Sequence, residues 1–357
     1  MKWICVPALS AFPDYRADWD RLNNELYAGH PLYDSRFIAP LIRYFATPRT
    51  RLAVLRDHDH VVGLTLIEPR RTGQWQTFTP SQLQASPILL PPALFPETNH
   101  LFSQLPGFPA LTVDWLAQDA PFSPCFSGFS GAPLSSMEHA ITMNVSTRQT
   151  FSEYWAHRSK NLRQNLTRQQ HRLEREHQIP HLVTLSGRAE VLAMLHQYGL
   201  MESAGWKGKN GTAIHPENTQ GRFYAEVFDA FAAKGEARAY CLYLNDRLAS
   251  IKLCILAPHM MVILKTTYDE ALAEFAPGRI LQYLMFQQEM PGHAYETIEF
   301  YNHATADALR WSTGSRPIRH VTLYRNSGVQ YLIRASQRLR APRPEAEPAH
   351  TLSESHT

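Results

Sequence analysis

The sequence predicts a mixed α+β fold in which mostly antiparallel, twisted sheets are flanked by helices. Three observations support this class. Apolar runs separated by two-residue turns form a meander in the second half of the chain. The last of these runs leads through a glycine-bearing loop into an amphipathic helical pattern, and a similar hairpin pattern recurs in the first half. The two halves are therefore predicted to be related units placed in tandem.

The first half alternates between helix and strand signals. Arg36–Phe45 has a helical pattern, and Leu52–Arg56 and Val61–Glu68 flank a polar turn as a hairpin. The stretch Thr77–Pro133 is rich in Pro, Gly and Phe, with short strands such as Leu111–Trp115 between turns. The first half contains no recognisable phosphate-binding loop, so we expect it to support the second half or to shape an acceptor cleft.

The second half opens at Thr150, a credible N-cap with Glu153 three residues later, which predicts a helix running on through a basic stretch. A further helix is predicted from Arg222 to Phe231. The meander and the elements after it are predicted as strands Ala237–Leu244, Arg247–Ala257 and Met260–Tyr268, strand Thr297–Tyr301, helix Ala304–Leu309 and strand Arg319–Tyr324.

Length and composition limit the alternatives. The 357 residues suit two modest domains, predicted at 1–146 and 147–340, followed by a disordered tail at 341–357 that is rich in Pro, Glu and Ala. The 35 basic and 32 acidic residues give a net charge of +3, which does not by itself argue for nucleic acid. The four cysteines have no metal-ligand spacing, so we predict reduced thiols and no metal. With no signal peptide and no run of about 18–20 apolar residues, a cytoplasmic location is expected.

The most informative stretch runs from Lys265 to Met290. A strand ends in polar residues, and a short loop closes with Ala276-Pro277-Gly278-Arg279 immediately before a helix. The first N–H groups of a helix lack intrahelical partners and its dipole adds partial positive charge, so such a helix start suits a phosphate. An ordinary strand–loop–helix joint remains the alternative.

Together with the basic helix Arg158–Leu173, the Gly-rich loop Glu202–Ile214 and Trp311, this stretch resembles the GNAT-like acetyltransferases of the CelD/BcsL type. That family is associated with cellulose and other exopolysaccharide biosynthesis and is related to the Fem-type aminoacyltransferases. The resemblance is specific from about Trp155 to Trp311. One departure is Asp307-Ala308, which stands where the family usually has Tyr-Lys.

The resemblance implies an acyltransferase that uses acetyl-CoA or a longer acyl-CoA as co-substrate, and an amine or saccharide acceptor that attacks directly in a ternary complex. Three sets of site residues follow. Coenzyme A is predicted at Lys265, Thr266, Thr267, Phe275, Ala276, Pro277, Gly278 and Arg279. The acceptor is predicted at Trp206, Lys207 and Asp269, and the acid and base among Glu299, Tyr301, His303 and Tyr268. Glu299, Tyr301 and His303 are spaced two apart and would share a face if their strand continued.

The basic helix carries Lys160, Arg163 and Arg168 around an apolar leucine face. These cations are predicted to bind phosphate or a polyanion, and a simple solvated face is the alternative. Two further functions stay open. One is Fem-like aminoacyl transfer from aminoacyl-tRNA, and the other is a non-catalytic module that binds a nucleotide or regulates polysaccharide synthesis.

Overall fold

The computed structural model describes residues 1–124, 133–205, 208, 213–290 and 295–340. The predicted tail at 341–357 lies outside the described residues. The described helices are α1 (Ala8–Tyr27), α2 (Ser35–Phe45), α3 (Thr98–Leu101), α4 (Phe151–Ala156), α5 (Lys160–Arg175), α6 (Arg188–Ala204), α7 (Thr219–Ala232), α8 (Pro277–Glu289), α9 (Ala306–Leu309) and α10 (Ser327–Arg340).

The described strands all belong to one sheet. They are β1 (Lys2–Pro7), β2 (Arg51–Asp57), β3 (His60–Arg71), β4 (Gln74–Thr77), β5 (Ile88–Leu89), β6 (Thr112–Asp119), β7 (Leu134–Ser146), β8 (Pro180–Leu185), β9 (Ala237–Leu244), β10 (Arg247–Ala257), β11 (Met260–Tyr268), β12 (Thr297–Glu299) and β13 (Gly314–Tyr324).

The strand order across the sheet is β1-β2-β3-β4-β6-β13-β7-β12-β11-β10-β9-β8, with β5 paired to β3. Every pairing is antiparallel except β4 with β6 and β11 with β12. The predicted fold class is therefore confirmed: the chain is mixed α+β with a large, mostly antiparallel sheet. The final strand β13 lies between β6 and β7 and so joins the two halves.

The predicted boundary at residue 146 coincides with the end of β7, but β7 pairs with β12 and β13 of the second half. The sheet thus runs through the boundary without a break, and the division into two domains stays a prediction.

Two layers of helices cover the second half of the sheet. Helices α6 and α7 pack on one face, together with α1 and α2 of the first half, and we call this the α7 face. Helices α4, α5 and α8 pack on the opposite face, which we call the α8 face. Along β10, Ile251, Leu253 and Ile255 point to the α7 face, so the alternate positions, including Lys252, point to the α8 face.

The meander strands β9, β10 and β11 have the predicted bounds. Several other elements differ, among them β13, which begins at Gly314 and not at the predicted Arg319. The helix predicted from Thr150 forms with its capping box, but it ends at Ala156, and Ser159 then caps a second helix by accepting from the Leu162 N–H. The strand predicted to reach Tyr301 ends at Glu299, because Tyr301 adopts a left-handed backbone with φ of 47°.

Candidate functional site

Strands β11 and β12 pair at one end only. Met260–Val262 pair with Thr297–Glu299, and β11 then continues to Tyr268 after β12 has ended. Within the described part of the chain, β11 has no strand partner on this side from Ile263 onward. A cavity of about 930 Å3 lies at this gap. A ligand there can contact an open strand edge, which offers backbone hydrogen bonds.

The cavity reaches both faces of the sheet through the gap. This follows from its lining, which combines side chains from the two separate cores on either side of the sheet. From the α8 face these are Met143, Phe300 and Trp311, and from the α7 face they are Leu32, Tyr198 and Tyr224.

The N-terminus of α8 forms one wall. Ala276 adopts a left-handed conformation with φ of 52°, and Pro277 is the first helical residue. The Ala276 N–H donates to the Ala273 carbonyl, the Arg279 N–H donates to the Ala276 carbonyl, and proline has no N–H. The Gly278 N–H has no partner among the described residues. A Cβ built at Gly278 would meet open space. The turn therefore offers one amide and the helix dipole to an anion, rather than the whole run of amides predicted from the sequence.

Most of the residues predicted to bind the coenzyme do line this cavity, but Thr267 and Phe275 do not. The Thr267 carbonyl accepts a hydrogen bond from the Ser250 hydroxyl at 2.8 Å, and Thr267 is buried. Phe275 is also buried, and the Arg172 guanidinium lies over its ring. The lining residues are Lys265, Thr266, Ala276, Pro277, Gly278 and Arg279.

Arg279, the cation next to the helix start, forms an ion pair with Asp307 at 2.8 Å. Arg310 lies 3.6 Å from the same carboxylate. Asp307 also lines the cavity and stands at the position where the sequence departs from the CelD/BcsL pattern. The departure thus places a carboxylate beside the predicted phosphate site, and it reduces the positive charge that Arg279 offers there.

Lys252 is a functional candidate that the sequence reasoning missed. Its side chain lines the cavity from the α8 face and is only 4% exposed. Its Nζ lies 3.3 Å from the Gln282 Oε1 and 3.5 Å from the Thr266 Oγ1. Burial lowers the pKa of Lys252 to about 8. A signal was present, because Lys252 is the one charged residue inside the apolar run that follows Arg247 in β10.

On the α7 face, the cavity has polar and aromatic walls. The Lys265 Nζ lies 4.6 Å from the centre of the Tyr224 ring, in a cation–π contact. Tyr268 is 41% exposed at the rim. The first half contributes Gln82 and Gln84 to the same lining. An acceptor would therefore meet both halves of the chain.

The predicted acceptor residues give a mixed outcome. Trp206 and Lys207 lie outside the described residues. Asp269 does not line the cavity, since its carboxylate accepts from the Ala271 N–H and pairs with Arg247 at 2.5 Å. Asp269 therefore caps the short helical turn before α8 and pairs with a neighbouring strand, and its role toward the acceptor stays a prediction.

The shared face predicted for Glu299, Tyr301 and His303 is not formed, because the strand ends at Glu299. Glu299 is 2% exposed, and both of its carboxylate oxygens bind the Arg316 guanidinium, at 3.1 and 3.0 Å. Burial raises the pKa of Glu299, and Arg316 opposes that shift. His303 is exposed and does not line the cavity. The three residues therefore occupy three different environments.

Tyr301 lines the cavity but its hydroxyl is committed to a buried cluster. The His30 Nδ1 accepts from the Leu32 N–H, so the His30 Nε2 carries the proton and donates to the Tyr301 hydroxyl at 2.7 Å. Tyr301 donates in turn to Asp119 at 2.9 Å. We call His30, Asp119, Glu299, Tyr301 and Arg316 the seam cluster, since it joins the first half to the end of β12.

Within the seam cluster, one guanidinium is shared by two carboxylates. Arg316 binds Asp119 with two hydrogen bonds of 2.7 Å and also binds Glu299. Burial, reinforced by Arg316, lowers the pKa of His30 to about 3, so this imidazole is neutral. Burial also raises the pKa of Tyr301 well above its ordinary value, with Asp119 contributing. A tyrosine held in this way positions the backbone beside the cavity rather than exchanging protons easily.

A second hydrogen-bonded group holds the open strand edge. The Tyr198 hydroxyl lies 2.7 Å from the Glu202 Oε1 and 3.2 Å from the Thr266 carbonyl. The Glu202 Oε2 accepts from the Ile214 N–H at 2.7 Å. Helix α6 is thereby tied to β11 where that strand has lost its partner, which keeps the edge in place beside the cavity.

The predicted polyanion residues lie together in a shallow groove of about 720 Å3 on α5. Lys160, Arg163 and Arg168 are exposed and form no ion pair with any residue that the structure describes, whereas Arg172 on the same helix pairs with Glu274. Trp155 lies at one end of this α5 groove, and its ring contacts Trp311 of the cavity wall at 5.8 Å between centroids. The groove is therefore one ring away from the cavity.

Comparison with known proteins agrees with this geometry. Residues 160–305 match the model of the acetyltransferase (GNAT) domain, so this segment is similar to the GNAT acetyltransferases. The matched segment contains the open edge of β11, the start of α8 and most of the cavity. No curated protein matches the chain. No helix among the described residues is long and apolar enough to cross a membrane.

Solved structures of low sequence identity share the fold over nearly the whole chain. FemX has 12% identity and a TM-score of 0.52, covering 93% of this chain and 100% of its own. A conserved protein of unknown function from Bacteroides thetaiotaomicron has 11% identity and a TM-score of 0.55, with 87% and 97% covered. The C-terminal domain of a putative lysylphosphatidylglycerol synthetase from Agrobacterium fabrum has 11% identity and a TM-score of 0.52, with 91% and 96% covered. At such identities, these likenesses concern the fold alone.

Proposed function

We propose that this chain is an acyl-CoA-dependent acyltransferase that transfers an acetyl or longer acyl group to an amine or a saccharide. The observation that carries the proposal is the cavity at the gap between β11 and β12. It joins a helix start suited to phosphate on one face of the sheet to a polar, aromatic cleft on the other. The family match over residues 160–305 supports the same reaction class.

In this proposal, the donor enters from the α8 face. The Gly278 N–H and the dipole of α8 hold the pyrophosphate, and Arg279 adds charge that it shares with Asp307. The acyl-bearing arm lies along the open edge of β11, where backbone N–H groups near Lys265–Thr267 donate to the thioester oxygen as negative charge develops on it.

The acceptor approaches from the α7 face and attacks the thioester directly in a ternary complex. Most of the rate gain comes from holding two reactants in line, because an oriented pair reacts far faster than two molecules in solution. Leu32, Gln82 and Gln84 bring the first half into the acceptor cleft, which supports a division of labour between 1–146 and 147–340. Lys265 and Tyr224 form the opposite side.

Among the acids and bases predicted from the sequence, Tyr268 is the best placed to exchange a proton with a ligand, because its exposed side chain lies at the cavity rim. Glu299 and Tyr301 are proposed to act through position, since the seam cluster holds their polar atoms. His303 stays a candidate only for a proton path at the surface.

The proposed acyl-CoA-dependent transfer has two rivals, a Fem-like aminoacyl transfer and a non-catalytic binding module. The α5 groove is proposed to bind a phosphate or polyanion through Lys160, Arg163 and Arg168, which suits an anionic exopolysaccharide, as in CelD/BcsL-type proteins, or the tRNA of a Fem-like aminoacyl transfer. The shared fold with FemX keeps the second of these open. The ion pair between Arg279 and Asp307 favours the non-catalytic alternative, since it weakens the phosphate site.

Replacing Gly278 tests the donor site. A Cβ at this position meets no atom of the described residues within 4 Å, so Gly278→Val leaves the core intact but puts a branched side chain into the space proposed for the pyrophosphate. Calorimetry with acetyl-CoA is expected to show at least about tenfold weaker binding, near 1.4 kcal/mol. The smaller Gly278→Ala change should weaken binding less, and thermal unfolding checks that both variants are folded.

Three outcomes separate the alternatives. Acetyl-CoA binding that Gly278→Val does not change would contradict the proposed donor site. Binding of an aminoacyl-tRNA without binding of acetyl-CoA would favour the Fem-like function. Acetyl-CoA binding with no acyl transfer to any of a panel of amines and saccharides would favour a binding module.

A further inference from the structure

Lys252 is a buried lysine beside the cavity that neither the proposed donor site nor the proposed acceptor cleft uses. It belongs to the central strand β10, and its ammonium group lies beneath α8, between Gln282 of that helix and Thr266 of the open strand edge. Both contacts are to neutral oxygens, at 3.3 and 3.5 Å. The residue is only 4% exposed and lines the cavity. It is thus a buried cation that faces the ligand space.

The described residues around Lys252 supply no counter-charge. Cys254 lies two positions further along the same face of β10. Tyr240 on β9 is the cross-strand partner of Lys252. Glu289, at the far end of α8, is engaged by Arg238 at 3.0 Å and by the Tyr295 hydroxyl. No carboxylate within the described residues pairs with Lys252. A buried ammonium without an anion is costly, so its retention points to a group that arrives with the ligand.

The depth of Lys252 decides which part of an acyl-CoA it meets. The phosphates of the donor are charged throughout the reaction and belong at the helix start, where Arg279 is exposed to solvent. Lys252 lies further in, against Thr266 and the strand edge that leads to the gap. The part of the donor that reaches this depth is the thioester end. It is neutral in the ground state and becomes negative only when the carbon–sulfur bond breaks.

We propose that Lys252 stabilises the thiolate that leaves the acyl-CoA and protonates it. This inference rests on the proposed acyl transfer and adds a catalytic residue to it. A cation placed where charge develops, in a site that excludes most water, acts more strongly on the transition state than on the bound donor. The buried position explains why a lysine, rather than a solvent-exposed acid, is suited to the task.

The proton and electron balance is complete without a further reagent. The acceptor atom forms a bond to the acyl carbon, the carbon–sulfur bond breaks, and its electron pair goes to sulfur. The Lys252 ammonium gives one proton to that sulfur, and the proton released by the acceptor atom restores the ammonium. The pKa of Lys252, lowered to about 8, lies close to the roughly 8.5 of an ordinary thiol, so a proton can pass between the ammonium and the sulfur without a large free-energy difference.

The test uses the full chain with coenzyme A, whose thiolate absorbs in the ultraviolet, and with desulfo-coenzyme A, which lacks the thiol. Calorimetry first measures binding of both ligands, and a pH titration of the absorbance then gives the thiol pKa of bound coenzyme A. We expect this pKa to lie at least one unit below that of free coenzyme A. In Lys252→Met or Lys252→Gln it should return to the free value or above. The control Lys234→Met removes an exposed lysine and should titrate like the original protein.

Each result supports or overturns the proposed role of Lys252. An unshifted thiol pKa in the original protein overturns the role of Lys252, and so does an equal shift in a folded Lys252 variant. In both cases binding of desulfo-coenzyme A leaves the proposed donor site standing. A protein that binds neither ligand would overturn the proposed function itself. Two substitutions are used so that the result does not depend on the folding of one of them.

Discussion

Two cations in the second half of the chain, Lys252 buried and Arg316 mostly buried, have opposite surroundings. Arg316 lies in the seam cluster between Asp119 and Glu299, with hydrogen bonds of 2.7 to 3.1 Å to both carboxylates. Lys252 lies beside the cavity, and its polar contacts within the described part of the chain are to the neutral oxygens of Gln282 and Thr266. Arginine suits the first site because its planar fork can bind two carboxylates at once. Lysine suits the second because its pKa responds to burial.

The difference separates structural charge from functional charge. A buried cation that its own chain neutralises joins elements together, and here Arg316 of β13 holds Asp119 of the first half against Glu299 of the second. A buried cation that its chain leaves without an anion destabilises the unliganded fold and suits a ligand that becomes negative. Opposite effects on stability are therefore expected when each cation is removed.

The largest effect on stability is expected when Arg316 is replaced. Arg316→Met leaves the carboxylates of Asp119 and Glu299 buried without their partner, so we expect the free energy of unfolding to fall by about 3–5 kcal/mol. Urea unfolding measures the change. The matched control is Arg43→Met, which breaks an exposed ion pair with Glu226 and should cost under about 1 kcal/mol. Equal losses in both variants would mean that the seam cluster does not stabilise the fold.

Removing Lys252 should raise the stability of the fold, in contrast to removing Arg316. Its pKa is about 8 in the fold, below its ordinary value of 10.5, so the folded chain binds the proton less tightly than the unfolded chain does. Stability of the original protein should therefore rise as pH increases from about 8 to 10.5. Below that window Lys252→Met should be more stable, by up to about 3 kcal/mol, and it should lack this part of the rise.

Thermal unfolding at pH 7 and at intervals up to pH 10.5 measures this effect, and Lys234→Met serves as the exposed control. A Lys252→Met protein that is less stable at pH 7, or that keeps the same rise with pH, would break the comparison. In that case the neutral contacts to Gln282 and Thr266 would have to stabilise the lysine by themselves.

The smallest effect on stability is expected in the α5 groove, where the cations are exposed. Replacing both Lys160 and Arg163 with Ala should change the free energy of unfolding by less than about 1 kcal/mol, since neither is part of an ion pair within the described chain. Binding of coenzyme A or of an anionic polymer should weaken, and most clearly at low salt, because salt screens surface charges beyond about 10 Å at 0.1 M.

Ligand titrations at two salt concentrations check this prediction, and Arg43→Ala is a control for the loss of an exposed arginine outside the groove. Unchanged affinity for coenzyme A, an acidic polysaccharide and tRNA would reduce the groove to a solvated helix face. The aminoacyl-tRNA alternative would then lose its main support.

Local patterns were sufficient where the determinants lie close together in sequence. The bounds of β9, β10 and β11 follow from apolar runs and two-residue turns, and the capping box at Thr150 follows from a spacing of three. The start of α8 was predicted in the same way, from Pro277 and Gly278 after a strand. In each case backbone preference and side-chain pattern act over a few residues, so the bounds could be predicted without knowledge of distant partners.

Predictions based on a continued pattern were less successful. Alternation along β12 was expected to bring Glu299, Tyr301 and His303 to one face, but the left-handed φ of Tyr301 ends the strand. What holds Tyr301 there is His30 and Asp119, 271 and 182 residues away in sequence. No spacing within residues 297–303 could have indicated these partners.

By itself the sequence determined the α+β class, the meander and the glycine-bearing helix start, because each depends on short-range backbone geometry and on which residues are apolar. Only the tertiary structure decided which polar groups are satisfied. It paired Arg316 with two carboxylates and Asp269 with Arg247, and it left Lys252 facing the cavity. The physical reason is that the energy of a buried charge depends on partners and solvent exclusion, and both are set by segments far apart in the chain.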